Sequence, residues 1–425
     1  MIKVVVIGLG YVGLPISISF SKKYKVFGFD INQEKIEKYK NGIDVTNEVG
    51  NETIKNANIE FTCDESVIKL ADYIIVTVPT PVDNNKNPDL SFVKSATKII
   101  ASNMKKGCVV IYESTVYPGT TEEVCLPILE EGSGFVLNKD FFLGYSPERI
   151  NPGDKTNTFE TINKVVAGSN SFATEKIAQL YQNCLKSKVV KVSSIKVAEA
   201  SKIIENTQRD INIAFMNEIA KIFHLMGIDT NEVLAAARTK WNFLNFTPGL
   251  VGGHCIGVDP YYLIYKSQNL GYKPNLMISS REVNDTMSQY IVDNIEKTIL
   301  SCGKKLSNTK VLVKGITFKE NISDIRNSRA IDIVNQLKHD NLDVYIEDYN
   351  VDNNTLRSLY DLSLSTKIPK VDVVVFAAKH KSYYDVKVEE LKEVFEDNKN
   401  RIVFDLYSIF DKNILKKEGF KVWNL

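Results

Sequence analysis

The sequence contains little cysteine and histidine, with six and four residues respectively in a chain of 425. No two cysteines form a Cys-x-x-Cys pair, and the histidines are as widely scattered as the cysteines. This spacing argues against a disulfide framework and against a structural metal site. We therefore expect a reduced, cytoplasmic protein without a bound metal. The cysteines are Cys63, Cys108, Cys125, Cys184, Cys255 and Cys302.

An excess of charge of either sign is also absent. The chain carries 53 basic and 52 acidic side chains, and its formal net charge is +1. A protein with this balance has no overall field that would attract nucleic acid or an anionic membrane. An anionic ligand must then be bound by local groups, and a small phosphorylated molecule fits that requirement.

Long uninterrupted apolar runs are missing as well. The uncharged stretch from Val4 to Ser21 approaches the length of a membrane span, but three glycines and Pro15 interrupt it. Its first part is β-branched, and Asp30 follows a second short apolar run. A strand, a tight turn and a helix explain this stretch better than a membrane span does.

Strand-like and helix-like segments alternate along the chain. With 44% hydrophobic and 25% charged residues, a chain of this length is expected to form two or three globular domains. Apolar runs at 73–79 and 108–114 indicate parallel βαβ units after the first strand, and a helical pattern follows at 192–237. The strand pattern returns at 309–318, 342–349, 371–378 and 401–406. These strands predict a second α/β domain, with Lys314 placed near a strand end or at a sheet edge.

A glycine-rich fingerprint stands directly after the first strand. Gly8, Gly10 and Gly13 form Gly-x-Gly-x-x-Gly ahead of a helix, and Asp30 closes the next strand. The glycines allow a tight turn, close approach of a pyrophosphate and packing of helix on strand, while the helix N-terminus faces the phosphates. Asp30 would bind the adenosine ribose and repel a 2′-phosphate. The pattern therefore predicts NAD rather than NADP, against the alternative of a glycine turn that binds nothing.

Cys255 lies in the glycine-rich stretch GLVGGHCIGVDPYY at 249–262. Asp259 and Pro260 are typical of a helix N-terminus, and Gly271 of its end. The positive end of that helix would favour a thiolate, and the glycines would give a bulky substrate access to the sulfur. A buried, inert cysteine is the alternative on this evidence. Asp259 could equally be a helix cap alone, and His254 a structural residue.

Polar side chains recur along the predicted central helix at three- and four-residue steps. A solvated helix face is the simplest interpretation of this stripe, which consists of Glu199, Lys202, Asn206 and Asp210. Two further polar segments, Glu113-Ser114-Thr115 and the one containing Glu148, follow strands at the sheet end where ligands bind in α/β proteins. Neither segment is specific alone.

Taken together, these segments resemble the nucleotide-sugar 6-dehydrogenase family, which includes UDP-glucose, GDP-mannose and UDP-N-acetylhexosamine dehydrogenases. The resemblance covers nearly the whole chain. It is carried by GLGYVGLP at 8–15, ESTVYPGTT at 113–121, GYSPERINPGD at 144–154, AEASKIIEN at 198–206, GGHCIGVDPYY at 252–262 and GITFKENISDIRNS at 315–328.

The resemblance implies an α/β fold of two Rossmann-like domains with parallel sheets, joined by a long central helical segment. The NAD-binding domain is predicted at 1–191 and the central segment, with the cysteine loop and the dimerisation helix, at 192–304. The second domain, at 305–425, would hold the UDP-sugar. A homodimer is the expected assembly.

The resemblance also implies the site residues. Cys255 is the implied nucleophile, and the other implied catalytic residues are Lys202, Asn206, Asp259, Glu148 and Thr115. Cofactor contacts are implied at Gly8, Gly10, Tyr11, Val12, Gly13, Asp30, Lys35, Thr80, Thr115 and Arg326. Substrate contacts are implied at Glu148, Lys202, Asn206, Asn242, Phe243, Gly252, Phe318 and Lys319.

The implied chemistry converts a C6 alcohol into a carboxylate by two successive oxidations with NAD. Cys255 would hold the aldehyde as a thiohemiacetal, whose oxidation gives a thioester that water hydrolyses. Lys202 and Asn206 would stabilise the oxyanion, Asp259 and Glu148 would order or activate water, and Thr115 would position a water. On this interpretation the polar stripe becomes the wall of a site.

The implied sugar is an N-acetylhexosamine, because Val258 replaces the lysine that UDP-glucose enzymes carry before the aspartate. The valine is also expected to leave apolar surface beside the cysteine loop, which suits a bulkier acylated sugar. The segment WNFLNFTPGLVGGHC at 241–255 also resembles the N-acetylhexosamine branch. UDP-N-acetylglucosamine is preferred over UDP-N-acetylgalactosamine, UDP-N-acetylmannosamine and UDP-glucose, with surface polysaccharide synthesis as the pathway served. An NAD(H)-binding regulator without catalysis and a two-electron dehydrogenase of the β-hydroxyacid type are the rival functions.

Overall fold

The computed structural model describes residues 1–150, 156–253, 255–307, 309–397 and 399–425. The chain forms two compact units. The first unit consists of residues 1–206 with 261–273, and the second of residues 207–260 with 274–425. Because the central segment contributes to both units, the boundaries at 191 and 304 remain predictions.

The first unit is built on a mostly parallel sheet. Among the described residues this sheet has eight strands in the order β3-β2-β1-β4-β5-β6-β7-β8, and its one antiparallel pair is β6 with β7. The strands are β1 Lys3–Ile7, β2 Lys25–Phe29, β3 Ile59–Thr62, β4 Tyr73–Val76, β5 Val109–Tyr112, β6 Phe142–Tyr145, β7 Lys164–Gly168 and β8 Val189–Lys191. The predicted strands at 73–79 and 108–114 are thereby confirmed.

Helices follow the strands of the first unit, as parallel pairing requires. They are α1 Gly13–Ser21, α2 Gln33–Lys40, α3 Asn51–Asn56, α4 Ser91–Asn103, α5 Leu126–Ser133 and α6 Ser171–Gln182, with shorter helical turns at Glu65–Leu70 and Thr121–Cys125. The central strands are apolar on both faces, and Val4, Val5 and Val6 are fully buried. Such runs are typical of a parallel sheet covered on both sides.

The second unit contains a five-stranded parallel sheet in the order β10-β9-β11-β12-β13 within the described residues. Its strands are β9 Lys310–Lys314, β10 Asp343–Glu347, β11 Val373–Phe376, β12 Arg401–Asp405 and β13 Phe420–Trp423. Four of them confirm the predicted strands, whereas β13 is short and was not predicted. Lys314 ends β9, as expected, but β9 has a neighbour on each side, so the alternative of a sheet edge is wrong.

A long helix, α7 Ile195–Met226, and a short one, α8 Thr230–Ala237, replace the single predicted helical pattern at 192–237. They are separated at Gly227, whose φ of 70° is left-handed. The remaining helices are α9 Asp259–Asn269, α10 Asn275–Asp285, α11 Met287–Ser301, α12 Arg329–His339, α13 Asn353–Tyr360, α14 Val388–Glu393 and α15 Lys412–Lys417, with a helical turn at Lys381–Tyr383. No helix in the described parts of the chain is both long and apolar enough to cross a membrane.

The polar stripe of α7 is buried. Glu199 and Asp210 have no exposed surface, and Lys202 and Asn206 are 5% and 8% exposed. The solvated-face interpretation is therefore wrong. It failed because the spacing of polar residues shows which face they share and not what covers that face.

Candidate active site

The glycine turn has the geometry that its sequence predicts. Gly8 has a φ of 91°, a conformation that side chains rarely adopt, and its N–H donates to the Phe29 carbonyl. A Cβ placed on Gly13 would lie 1.9 Å from the Gly8 carbonyl oxygen, so only glycine lets α1 start this close to the strand. A Cβ on Gly10 would meet nothing within 4 Å, which leaves its backbone open.

Asp30 is held at the end of β2 by two backbone groups and one cation. Its carboxylate accepts the N–H of Leu9 at 2.9 Å and of Asn32 at 3.0 Å, and the Lys35 ammonium donates to it at 2.8 Å. These contacts fix the carboxylate toward the glycine turn. Asp30 and Lys35, both predicted cofactor contacts, thus lie side by side next to the glycine turn.

A pocket of about 250 Å³ opens beside this carboxylate. Asp30, Asn32, Lys35 and Ser95 supply its polar lining, and apolar or small residues supply the rest. The apolar and small residues are Ile7, Gly8, Phe29, Ile31, Val78, Pro79, Phe92, Ala96 and Ile99. An apolar cavity with a few fixed polar groups at its rim suits the adenosine portion of a dinucleotide. Tyr11 and Val12 lie between the turn and α1, and Thr80 lies in the loop after β4.

Two predicted catalytic residues meet inside the first unit. The Lys202 ammonium lies 3.5 Å from a carboxylate oxygen of Glu148, and both side chains are less than a tenth exposed. Asn206 follows Lys202 by one helical turn. Arg149, the residue after Glu148, donates through Nε to Glu205 of the same helix at 3.2 Å. The segment after β6 is therefore tied to α7 at two successive residues.

A buried ion pair that sequence reasoning missed lies behind Glu148. Lys164 pairs with Glu113, whose other carboxylate oxygen accepts the Tyr181 hydroxyl, and all three side chains are buried. Lys164 also donates to the carbonyl of Pro147 at 2.9 Å. Burial raises the pKa of Glu113, and Lys164 and Tyr181 act in the opposite direction. A lysine opening the apolar strand KVVAG was the available signal.

The loop carrying Thr115 is anchored by the buried carboxylate of Glu199. Glu199 accepts the backbone N–H of Gly119 at 2.5 Å and of Thr121 at 2.9 Å. Burial raises the pKa of this carboxyl to about 7, and the N–H donors oppose that rise. Thr115 itself is half-buried and lies near the start of this loop, just after β5. The polar stripe of α7 thus binds the Thr115 segment through Glu199.

In the second unit, Cys255 lies in a turn immediately before α9. Its carbonyl accepts the N–H of Val258 at 3.0 Å and of Asp259 at 2.8 Å. The helix begins at Asp259, one residue earlier than predicted, and ends before Gly271. Cys255 is half-buried. His254 lies outside the described residues, as does the segment 151–155 that ends the GYSPERINPGD motif.

Two other thiols illustrate why Cys255 is the chemical candidate. Burial raises the pKa of Cys108 and of Cys125 to about 12, so both remain protonated at neutral pH. Neither precedes a helix in a glycine-rich loop. The inert-cysteine interpretation therefore suits these two residues.

The glycines before Cys255 pack against the predicted UDP-binding turn. Gly253 has a φ of 78°, and a Cβ there would lie 2.6 Å from the Phe318 ring. Its N–H donates to the Asn327 carbonyl at 3.2 Å, and Gly252 lies against the same carbonyl. The structure therefore brings Gly252 and Phe318, two predicted substrate contacts, close together.

The other residues of the second unit that are predicted to bind substrate or cofactor are exposed or half-buried. Asn242 is exposed and Phe243 half-buried in the turn that follows α8, and Lys319 is half-buried beside Phe318. Arg326 is exposed and pairs with Asp324. Among the described residues, no group of histidine, cysteine, aspartate or glutamate side chains could hold a metal ion.

Val258 does not have the environment that was expected. It is 6% exposed, so it presents almost no surface to a ligand. The expectation that it supplies an apolar surface for an acyl group is therefore wrong. The remaining difference at position 258 is the absence of the positive charge that a lysine would carry.

Three domain models of the UDP-glucose/GDP-mannose dehydrogenase family match the chain. The NAD binding domain matches residues 2–185, the central domain residues 196–286 and the UDP binding domain residues 312–412. Together these matches include every predicted site residue.

Two relatives are similar over nearly their whole length. Protein CapL of Staphylococcus aureus is 49% identical, with 99% of each chain covered. A UDP-N-acetyl-D-glucosamine 6-dehydrogenase of Pseudomonas aeruginosa is 45% identical, with 97% of this chain and 98% of the relative covered.

Solved structures agree with the fold. A UDP-D-ManNAc dehydrogenase of Pyrococcus horikoshii superposes with a TM-score of 0.90 at 28% identity, covering 100% of this chain and 99% of that one. The UDP-N-acetyl-mannosamine dehydrogenase Cap5O of Staphylococcus aureus superposes with a TM-score of 0.83 at 29% identity, covering 99% and 98%. The predicted class, two Rossmann-like domains and a long central helix, is confirmed.

Proposed function

Because the chain belongs to the UDP-glucose/GDP-mannose dehydrogenase family, we propose that it oxidises the C6 alcohol of UDP-N-acetylglucosamine to the uronic acid. It is an NAD-dependent nucleotide-sugar dehydrogenase, and the identity of the sugar is the proposed part. Two UDP-N-acetyl-D-glucosamine 6-dehydrogenases are 45% and 44% identical to it, whereas a UDP-N-acetyl-D-mannosamine dehydrogenase is 32% identical. This ranking supports the N-acetylglucosamine substrate.

The buried pair of Glu148 and Lys202 is the observation that carries the catalytic proposal. Two ionised groups are costly to bury, and their separation of 3.5 Å is longer than a tight ion pair. An ammonium with three N–H donors can stabilise an oxyanion as well as a carboxylate. We assign Lys202 and Asn206 to the oxyanion, and Glu148 with Asp259 to ordering or activating water.

Cys255 is the proposed nucleophile. Its thiolate adds to the C6 aldehyde and forms a carbon–sulfur bond, which gives a thiohemiacetal. Oxidation of that adduct gives a thioester, and water then cleaves the carbon–sulfur bond to release the carboxylate and the thiol. The glycine turn and Asp30 would hold NAD, which would supply the hydride acceptor that both oxidations need. Thr115 positions a water in this scheme.

A homodimer through α7 is part of the proposal, and the exposure of this helix supports it. The polar stripe is buried, whereas the apolar residues Ile204, Phe215 and Ile222 are 57%, 53% and 44% exposed. A helix in a soluble protein usually has the opposite arrangement. A second copy that covers these residues would account for the inversion.

We also propose a cytoplasmic location and a role in surface polysaccharide synthesis. None of the six cysteines, all of which lie in the described residues, forms a disulfide bond, which suits a reducing compartment. The pathway is inferred from the resemblance to the N-acetylhexosamine branch.

A panel of UDP-sugars tests the proposed reaction. Purified protein with NAD is assayed on UDP-N-acetylglucosamine, UDP-N-acetylgalactosamine, UDP-N-acetylmannosamine and UDP-glucose, with NADH counted per sugar consumed. We expect the highest kcat/KM on UDP-N-acetylglucosamine and two NADH per sugar. Preference for UDP-glucose would refute the branch assignment, and one NADH per sugar would refute the thioester route.

A further inference from the structure

A buried histidine lies at the carboxyl edge of the second sheet, close to the turn assigned to UDP. His380 follows β11 and has no exposed surface. Its ring contacts polar residues from two segments, 317–321 and 348–350, and we call these residues together with His380 the histidine cluster. The cluster consists of His380, Asp348, Thr317, Asn321 and Asn350.

The two ring nitrogens of His380 have different partners. The backbone N–H of Asn321 donates to Nδ1 at 2.9 Å, and the Asn350 side-chain amide lies 3.2 Å from the same atom. A nitrogen that accepts a backbone N–H carries no proton, so the proton of the neutral ring belongs on Nε2. Nε2 lies 3.2 Å from a carboxylate oxygen of Asp348, which accepts that proton in a hydrogen bond.

Asp348 is itself fixed by backbone groups. It accepts the N–H of Ile316 at 2.7 Å and of Asn350 at 2.8 Å. Burial alone would raise the pKa of Asp348, but the hydrogen bond from His380 and those from the backbone bring it below its usual value. The ionised carboxylate of Asp348, which follows β10, therefore holds His380 in place by a hydrogen bond.

Both ring nitrogens of His380 also contact the turn at 317–321, Nδ1 at Asn321 and Nε2 at Thr317. Thr317 donates through its hydroxyl to the Lys319 carbonyl at 2.7 Å, and this hydroxyl lies 3.3 Å from Nε2 of His380. The Lys381 backbone N–H donates to the Asn321 side chain at 2.8 Å. Asn321 has a φ of 58°, a left-handed conformation that must be stabilised by its contacts.

Phe318 and Lys319 lie between the two points that the cluster fixes, Thr317 and Asn321. We propose that His380 is a positioning residue for UDP: through the Asn321 N–H and the Thr317 hydroxyl it sets the turn that presents Phe318 and Lys319 to the nucleotide. This proposal rests on the proposed function, with Phe318 and Lys319 taken as the substrate contacts that the family resemblance implies. His380 touches the turn and has no assigned contact with the ligand.

Two substitutions separate the two sides of the ring. In His380→Asn the amide oxygen can take the place of Nδ1 and keep the bond from Asn321. In His380→Gln the amide can take the place of Nε2 and keep the bond to Asp348. We expect His380→Gln to weaken UDP binding about tenfold, which is the loss of roughly one hydrogen bond, and His380→Asn to weaken it by no more than about threefold.

Calorimetric titration of the full-length protein with UDP measures this difference, with NAD titrated in parallel. We expect unchanged NAD affinity, a raised KM for the UDP-sugar and little change in kcat. His339→Gln, at the 82% exposed side chain of His339, is the matched control and should leave both affinities unchanged. If both His380 variants bind UDP as the unmodified protein does, the positioning role is refuted.

Asn321→Gly keeps the test valid if the buried variants fold poorly, because Asn321 is exposed and glycine tolerates its φ. It removes the bond from Lys381 and loosens the turn, and we expect UDP binding to weaken about threefold. Unchanged UDP affinity in this variant would also refute the proposal.

Lys319→Ala and Phe318→Ala distinguish failure of the proposal from failure of the function on which it rests. We expect both to weaken UDP binding. If neither does, the turn does not bind UDP, and the assignment of these residues fails together with the role of His380. If both weaken UDP while the His380 and Asn321 variants do not, only the positioning role fails.

Discussion

The same set of hydrogen bonds occurs at the carboxyl ends of two neighbouring strands in each of the two sheets, and we call this set the backbone frame. In the first unit, Gly8 donates to the carbonyl of Phe29, and Leu9 and Asn32 donate to Asp30. In the second unit, Gly315 donates to the carbonyl of Glu347 in the same way. Ile316 and Asn350 donate to the carboxylate of Asp348. A glycine with positive φ and an aspartate after the next strand are thus common to both.

The two aspartates face different surroundings. Asp30 lines an open pocket and pairs with Lys35, whose side chain is 28% exposed. Asp348 faces His380, whose side chain is 1% exposed, so a ribose has no access to that carboxylate.

The turns after the two glycines differ as well. The first helix begins at Gly13, six residues after β1, whereas α12 begins at Arg329, fifteen residues after β9. The second unit therefore has the same backbone hydrogen bonds as the predicted NAD site, and its own histidine faces the carboxylate that corresponds to Asp30. Similar folds need not have similar ligands, and the side chain opposite the carboxylate accounts for the difference here.

Removing the thiol should produce the largest effect and separate the roles of the two units. Cys255→Ala should lower uronate formation by at least about two orders of magnitude, because no other nucleophile is assigned. NAD affinity, a property of the first unit, should not change. Uronate formed by coupled assay and NAD bound by titration are the two measurements.

Cys302→Ala is the control for this variant, since it removes another half-buried thiol of the second unit. It should keep full activity. Turnover of Cys255→Ala above about a hundredth of the unmodified rate would contradict a covalent route.

Lys202→Met tests what the first unit contributes to the chemistry beyond binding the cofactor. The variant keeps the length of the side chain and removes its charge, so kcat should fall about a hundredfold or more while NAD affinity is retained. Steady-state kinetics at saturating NAD measure the fall. Lys196→Met on the same helix is the control, because Lys196 is exposed; an unaltered kcat in Lys202→Met would remove Lys202 from the reaction.

Asp30→Ala and Asp348→Ala test the comparison of the two frames directly. Asp30→Ala should weaken NAD binding about tenfold and reduce discrimination against NADP, because the carboxylate near the ribose is lost. Asp348→Ala should leave NAD affinity unchanged, because the buried His380 already hydrogen-bonds that carboxylate and blocks access to it. Titrations with NAD and NADP check both variants. Equal losses of NAD affinity in the two variants would contradict the claim that NAD binds at Asp30 and not at Asp348.

The fold and the cofactor site could be predicted from the sequence because their signals are local. The glycine turn, the strand before it and Asp30 lie within thirty residues, and each position has a backbone reason for its residue type. The cysteine loop is similar, since Asp259 and Pro260 mark the helix that follows Cys255. Local patterns of this kind need no knowledge of what packs against them.

The burial of the polar stripe and the two buried networks could not be predicted in the same way. Glu199 contacts the backbone of Gly119, eighty residues earlier, and Lys164 pairs with Glu113 across fifty-one residues. His380 meets Asp348 across thirty-two. Nothing in the spacing of a lone lysine or histidine shows which distant carboxylate it will face, so these contacts could be seen only in the structure.

The smallest effect concerns two buried carboxylates, one in each unit, whose pKa values move in opposite directions. Burial raises the pKa of Glu199 from 4.5 to about 7, while that of Asp348 is lowered from 3.8 because its hydrogen bonds outweigh its burial. Glu199 therefore binds a proton more readily in the folded protein than in the unfolded chain. Its contribution to the free energy of unfolding is fully present below pH 4.5 and is lost as the pH rises to about 7.

Asp348 has the opposite linkage. Its contribution is present above pH 3.8 and is lost as the pH falls below that value. Glu199→Gln should therefore abolish a fall in stability between pH 4.5 and 7 that is on the order of 1–3 kcal/mol in the unmodified protein. Asp348→Asn should not alter this window. Urea unfolding at pH 5 and pH 8 measures the difference, with Glu131→Gln, at an exposed glutamate, as the control. If Glu199→Gln and Glu131→Gln retain the same pH dependence as the unmodified protein, the carboxyl that anchors the Thr115 loop is not the group that titrates.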